Sequence, residues 1–471
     1  MSGISSAFNF ASAGLTMNAH WSEVVSGNIA SADDPDYAKR SLSRMTLGDG
    51  VAMATGVTRS IDSSLTRMYH DELSRMTRQE ALSTGLTAYT TGLGEIDDAN
   101  SPMQLLTEFQ TSLDFLFNDP GQTSLQSAAL QSAQALTRGL NRVSGNLDTA
   151  VAETQQRLNA DIADANRLLE DIAKQNKQLS QADPGTALYA TLQDQQAATV
   201  SKLAEYADIK VDTDKNGLAN VAAGNGMLLV ERDKVFTLEY DVSTGQLTAG
   251  GYNVGPDSSF GISEGSIAGN VELLQDVLPQ IRLQLDEFAR ALIQTFESAD
   301  ASLTPPAAGL FTDAGQAYDS ASLEGLAGRI AVNDAVVPEA GGSLWRLRDG
   351  IGAATAGSSG DSSQLGAFID ALDGTQSFDG GTGLPSGLSL AEYGAAMIAS
   401  QQDMRSQADK AFENHAASAA SIDDARLNAQ GVNIDDELQQ LLQVEKSYSA
   451  NAQVISTLSE MLDVLLAAVG R

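Results

Sequence analysis

The sequence predicts a mainly α-helical protein with an inserted β domain, and three observations carry that expectation. Apolar residues recur at spacings of three and four through most of the 471 residues, the period of a helix face turned to a core. Between Ala207 and Gly265 the period drops to two, broken by turn dipeptides, which is the mark of short strands. Both ends of the chain carry a narrow apolar seam averaging 3.5 residues, the repeat of a coiled coil rather than of a broad globular face. The expected architecture is nested: N- and C-terminal coiled-coil helices, a long-helix bundle, and a small outer β domain.

The first seam runs through Ile4, Phe8, Ala11 and Leu15 and resumes at Val25 and Ile29, with Asn18 and Ser22 weakening its middle. Asp33, Asp34 and Pro35 stop it. Residues 38–59 mix Thr, Ser, Met and Val with Gly48, Gly50 and Gly56 and read as an irregular or short-strand connection. A helix is expected from Ser60 to about Leu93. Ser101, Pro102 and Gln104 form the capping box of the next, and the Asn118–Gly121 turn separates it from a very long helical tract, Thr123 to about Gln181. Another helix follows from Ala187 to Tyr206.

Within the β insert, Phe236, Leu238, Tyr240 and Val242 fall on one face of a strand, and Asn216-Gly217 and Thr244-Gly245 supply turns. Helix returns from about Asn270 to Ala299, and again from Ser389 to about Ala429. The last tract is capped by Asn433, with Asp435, Asp436 and Glu437 complementing the positive end of the helix dipole. Its seam includes Ile434, Leu438, Leu441, Tyr448, Ile455, Leu462 and Leu466, with Leu442, Leu458 and Leu465 as extra apolar residues beside it. An antiparallel pair of such helices buries one stripe and leaves another exposed, so these residues, with Ile4, Phe8, Leu15, Val25 and Ile29, are the candidate assembly interface. The expected domains are 1–35 with 431–471 (coiled coil), 36–206 with 266–300 and 389–430 (helical bundle), 207–265 (β insert), and a loop-rich 301–388 that can belong to the bundle.

Formal net charge is −33, which repels nucleic acid and disfavours an anionic membrane surface. There is no cysteine, so disulfides and thiolate metal sites are excluded. No apolar run is long enough to span a bilayer. The first basic residue is Lys39, so a Sec-type signal peptide is not expected; the protein is cytoplasmic or exported without a cleaved signal. Catalytic look-alikes fail on context. Asp212–Gly217 imitates the start of a calcium loop, but Ala223 stands where a Glu ligand belongs. Ser263, in Gly-Ile-Ser-Glu-Gly, has the letters of a nucleophile elbow without the preceding strand or a suitably placed histidine. The histidines His20, His70 and His415 have no metal-ligand spacing. Neither cofactor nor enzyme chemistry is expected; a serine hydrolase built on Ser263 is the remote alternative.

Ser26–Arg40, SGNIASADDPDYAKR, resembles the N-terminal signature of the axial proteins of the bacterial flagellum: Asn28, Ile29, Ala30, Pro35 and Tyr37 match, while Asp36 stands where Gly is usual. Gly431–Leu466 is similar to the same family's C-terminal block. Rod, hook and junction proteins share both ends. The middle, from Leu188 to Val230 and from Asn270 to Ala299, is similar to the first hook-associated, or hook–filament junction, branch, departing at Gln196-Ala197; residues 302–388 match least. The resemblance implies a structural subunit whose terminal helices form an inner tube, with the β insert outermost. It implies export through the flagellar type III apparatus to the outside of the cell, and a chaperone on the C-terminal helix beforehand. The implied partners are further copies of itself, the hook protein and the second hook-associated junction protein. Another axial protein (second junction, hook or rod) is the alternative within the family.

Overall fold

Ser2–Ala30 forms the first helix, α1, of a computed structural model that describes residues 2–46, 52–95, 98–224 and 226–469. Strands β1 (Arg40–Thr46) and β2 (Ala52–Arg59) pair antiparallel, with a register shift at Ser43/Arg44 opposite Gly56. The connection read from sequence as irregular is thus a hairpin; Gly48 and Gly50 lie outside the described residues. Four helices follow: α2 (Ser63–Leu93), α3 (Pro102–Asn118), α4 (Thr123–Gln181) and α5 (Ala187–Tyr206). The Ser101 hydroxyl accepts the Gln104 N–H at 3.2 Å, as a capping Ser should.

The β insert is two antiparallel sheets. The first orders β3 (Ile209–Thr213), β4 (Ala219–Ala223), β5 (Leu228–Glu231) and β6 (Lys234–Val235). The second orders β7 (Leu238–Asp241), β8 (Gln246–Ala249) and β9 (Tyr252–Asn253). Phe236 to Val242, expected as one strand, is split between them. The Phe236 N–H still bonds the Leu229 carbonyl, whereas Leu238 has already joined Ala249. The calcium look-alike is the β3–β4 turn: Asp214 accepts the N–H groups of Asn216 and Leu218, and Gly217 takes φ +75°.

Helix returns as α6 (Ser266–Glu272), a π turn, and α7 (Leu278–Ala299). Short pieces come next: β10 (Phe311–Asp313) paired with β11 (Ile330–Val332), the single-turn helices α8 (Leu326–Arg329) and α9 (Arg346–Asp349), and α10 (Ser363–Asp373). The long helices α11 (Leu390–Gln430) and α12 (Ile434–Val469) close the chain.

The chain divides into two compact units. One comprises Met1–Arg78, Ala160–Ala268 and Glu413–Arg471; the other comprises Gln79–Asn159 and Gly269–Phe412. In the second, α3 presents Leu105, Leu106, Phe109, Leu113 and Leu116 to one buried core. Residues from the loop-rich 301–388 stretch, among them Phe311, Ile330, Leu347 and Phe368, enter that same core. Phe296 touches three rings there, Phe109, Phe311 and Phe368, with centroids 4.9–5.6 Å away, and such tilted and edge contacts favour a single packing. Buried polar side chains form a relay there: Tyr89 donates to Gln401 (2.9 Å), whose amide donates to Gln284 (2.7 Å).

Candidate assembly interface

The first unit is organised by side chains that do the work of backbone. On α4, Asn166 bonds both the N–H (2.7 Å) and the carbonyl (2.9 Å) of Leu238. Ten residues on, Asn176 does the same for Ala219, at 2.8 Å each. Each amide continues a strand's ladder onto the helix, so both sheets of the insert are tied to α4 without an exposed edge at those points.

A third Asn joins the chain ends. Asn28, buried at the end of α1, uses both amide hydrogens, donating to the Arg40 carbonyl and to Glu437 Oε2 (2.9 Å each). Its oxygen accepts the Arg40 N–H (3.0 Å) and the Tyr37 hydroxyl (2.8 Å). All four bonds of the side chain are made. Glu437, fully buried on α12, takes Lys39 Nζ on its other oxygen at 2.8 Å. Read from sequence as one of three acids serving the helix dipole, Glu437 is instead the anchor that ties α12 to the segment after α1. Asp36 does not adopt a left-handed backbone, so the freedom of the usual Gly is not needed there.

From this anchor α1 and α12 run antiparallel. Asn18 Nδ2 donates to Ser447 Oγ at 2.9 Å, and a methyl group on Gly14 would come within 2.7 Å of Asn451 Nδ2. The rows that meet are Ala11, Asn18 and Val25 on α1 and Glu437, Val444 and Leu458 on α12, all buried. On α12 that row repeats every seven residues, but it is not the apolar row that the sequence singles out. The two helices approach through small and polar groups because Gly14 leaves room for Asn451, and larger residues at these positions would hold them apart.

The candidate interface residues therefore divide. Val25 and Leu458 are buried; Ile4, Leu15, Ile29, Leu441 and Ile455 are half-buried. Phe8, Ile434, Leu438, Leu442, Tyr448, Leu462, Leu465 and Leu466 are exposed, and Phe10, Val454, Met461 and Val464 join them. Val464 and Leu466 are 71% and 69% exposed. Single exposed apolar residues are ordinary; here large ones recur along the whole length of α12. Sequence reading took Asn18 as a weak point of the seam and Glu437 as a dipole acid; the spacing of Glu437, Val444 and Leu458 in multiples of seven was the available signal.

Two further sites bear on function. Arg40 and Arg59, from the hairpin, converge on Asp194 of α5 at 2.8 and 2.6 Å. Burial pushes the Arg59 guanidinium down, opposed by that carboxylate. Ser263 donates its hydroxyl to Asp208 Oδ2 (3.0 Å), while Asp208 Oδ1 accepts the N–H groups of Ser263 and Glu264. Desolvation raises Asp208. That geometry pins a loop, with the serine's proton committed to a carboxylate. Among the described residues no group of three or more His, Asp or Glu is placed to hold a metal, and no helix is long and apolar enough to cross a membrane.

Residues 94–302 match the helical domain of the flagellar hook-associated protein FlgK. Residues 424–468 match the C-terminal region shared by the flagellar basal-body rod proteins FlgE, FlgF and FlgG. Flagellar hook-associated protein 1 of Bacillus subtilis is 24% identical over 416 residues, covering 80% of this chain and 78% of its own. The chain thus carries a segment similar to the helical domain of the flagellar hook-associated protein FlgK. It is accordingly a structural protein of the bacterial flagellum. Flagellar hook-associated protein 1 of Escherichia coli is also 24% identical, over 63% of this chain and 57% of its own. A solved structure, the flagellar hook junction protein FlgK of Burkholderia pseudomallei, aligns with TM-score 0.46 and 20% identity over 52% of this chain and 46% of that one. The FlgK helical-domain match begins after α2 and spans α3 to α7 together with the β insert, while the rod-protein match falls on the end of α11 and most of α12.

Proposed function

We propose that the chain is a subunit of the junction between flagellar hook and filament, outside the cell, and that it assembles through the apolar faces that α1 and α12 leave uncovered. The observation that carries this is the set of exposed Leu, Met, Val and Tyr along α12, which its contact with α1 leaves uncovered. Burying each large side chain of that set is worth about 1.5–3 kcal/mol, so packing neighbouring copies is a sufficient driving force. The FlgK helical-domain match supports the hook-associated branch over a rod, hook or second junction protein.

The neighbours on this reading are further copies, the hook protein and the second hook-associated protein. Before export a chaperone covers the α12 face. Packing is the whole chemistry; the Ser263–Asp208 pair is structural. The charge of −33 supports a subunit that meets neither nucleic acid nor an anionic membrane. The test is Leu441→Asp with Leu462→Asp, expressed in a strain lacking the native protein. Incorporation per secreted chain, measured on isolated hook–filament structures, is expected to fall at least tenfold. Incorporation at the native level would sink the reading.

A further inference from the structure

The chain carries 61 acidic residues against 28 Lys and Arg, yet one cavity of the first unit is lined the other way. It has a volume of about 520 Å³ and opens between the Pro35–Ala38 segment, the start of α2, α5, β3 and the end of α11. Its charged lining is Arg59, Arg67, Lys210 and Arg426 against Asp36 alone. Arg59 is committed to Asp194 and Arg426 to Asp423. Arg67 and Lys210 are exposed and have no ion-pair partner among the described residues. The rest of the lining mixes polar side chains with apolar ones, and of the apolar ones Ile61 and Val211 are 44% and 38% exposed. A cleft of one charge with low-dielectric walls focuses its field, so the fitting ligand is an apolar side chain flanked by carboxylates.

The first turn of α12 has that chemistry. Ile434 and Leu438 are exposed, and they bracket Asp435 and Asp436, whose N–H groups are held by Asn433 (3.0 and 3.3 Å). Their carboxylates have no ion-pair partner among the described residues. We propose that the cavity receives the first turn of α12 from a second copy of this chain, with Asp435 and Asp436 against Arg67 and Lys210 and Ile434 against Ile61 and Val211. The idea rests on the assembly reading above and adds to it a site and a polarity. It also answers how subunits of like net charge come into contact, since the unpaired cations sit where a neighbour's unpaired acids would arrive.

The test uses the full chain and a fluorescent peptide spanning Val432–Leu441, read by anisotropy at low and moderate salt. Saturable binding that weakens with salt is expected. Arg67→Glu with Lys210→Glu should weaken it at least about tenfold, a loss of about 1.4 kcal/mol. A peptide carrying Asp435→Lys and Asp436→Lys should fail on the native chain and bind the charge-reversed one. Circular dichroism checks that the reversed chain, altered only at exposed positions, is folded. Binding of the native peptide that is unaffected by reversal of the cavity, or no saturable binding to the native chain, overturns the proposal. Either result leaves the assembly reading to its own Leu441/Leu462 test.

Discussion

His70 gives the first unit an acid sensitivity that can be worked out from one side chain. Burial holds its imidazole down to about 4 from an ordinary 6.5, with Nε2 3.0 Å from the Ser201 hydroxyl. As pH falls, the unfolded chain takes up the proton first, so the folded state loses ground. The stabilisation is complete above about 6.5 and is lost between there and about 4, amounting to about 3 kcal/mol. His70→Gln, which can still bond Ser201, is expected to flatten the pH dependence of urea stability across that window; an unchanged slope would place the acid sensitivity elsewhere. At this scale the sequence was only partly legible. The capping role of Ser101 was readable because a cap depends on its next three residues. Glu437 was not, because its partners Lys39 and Asn28 lie some four hundred positions away and a buried acid looks the same in a sequence as a solvated one. Asn18 was read as a flaw in the seam, whereas it is a polar layer bonded to Ser447, of the kind that fixes helix register at some cost in stability.

At the scale of elements, two contacts outside α1 help to place the β1–β2 hairpin. Its Arg40 and Arg59 share Asp194, and Gly56 packs against Gly185, the Val57 N–H bonding the Gly185 carbonyl at 2.7 Å. A Cβ on Gly56 would lie 3.0 Å from Gly185 Cα, so the two glycines permit a backbone approach that no other residue allows. Asp194→Ala leaves two cations, each with a tenth or so of its side chain exposed, facing one another. Breaking such a pair is expected to cost about 3 kcal/mol, read as a shift of the urea midpoint, with faster proteolysis in residues 40–59. A change below about 0.5 kcal/mol would mean that Asp194 does not help to seat the hairpin. Helices were legible from period and caps nearly to their ends. The hairpin was not, since Thr, Ser and Met on two exposed strands leave no alternation to detect. The strand expected through Phe236–Val242 failed for a related reason: its alternation is real, but the chain changes sheets at Thr237, and period carries no information about partners.

For the molecule as a whole, mainly helical character, the inserted sheets and the apolar ends could all be read in advance. What could not be read was that 301–388 contributes Phe311, Ile330 and Phe368 to the core around α7. Its Gly, Ser and Asp content resembles a linker, and its apolar residues are too scattered to show a period. On the proposed assembly, α1 and α12 form a weak pair whose exposed apolar residues are covered by other subunits. A helix pair that leaves most of its large apolar residues in water is weakly held, and helices without tertiary burial are marginal in water. Native-state hydrogen exchange, on the isolated chain and on assembled flagella, tests this most directly. In the isolated chain, Ser2–Ala30 and Ile434–Val469 are expected to exchange orders of magnitude faster than α3 and α7 and to slow sharply on assembly. Terminal helices as protected as α7 in the isolated chain, and unchanged in the flagellum, would contradict the account.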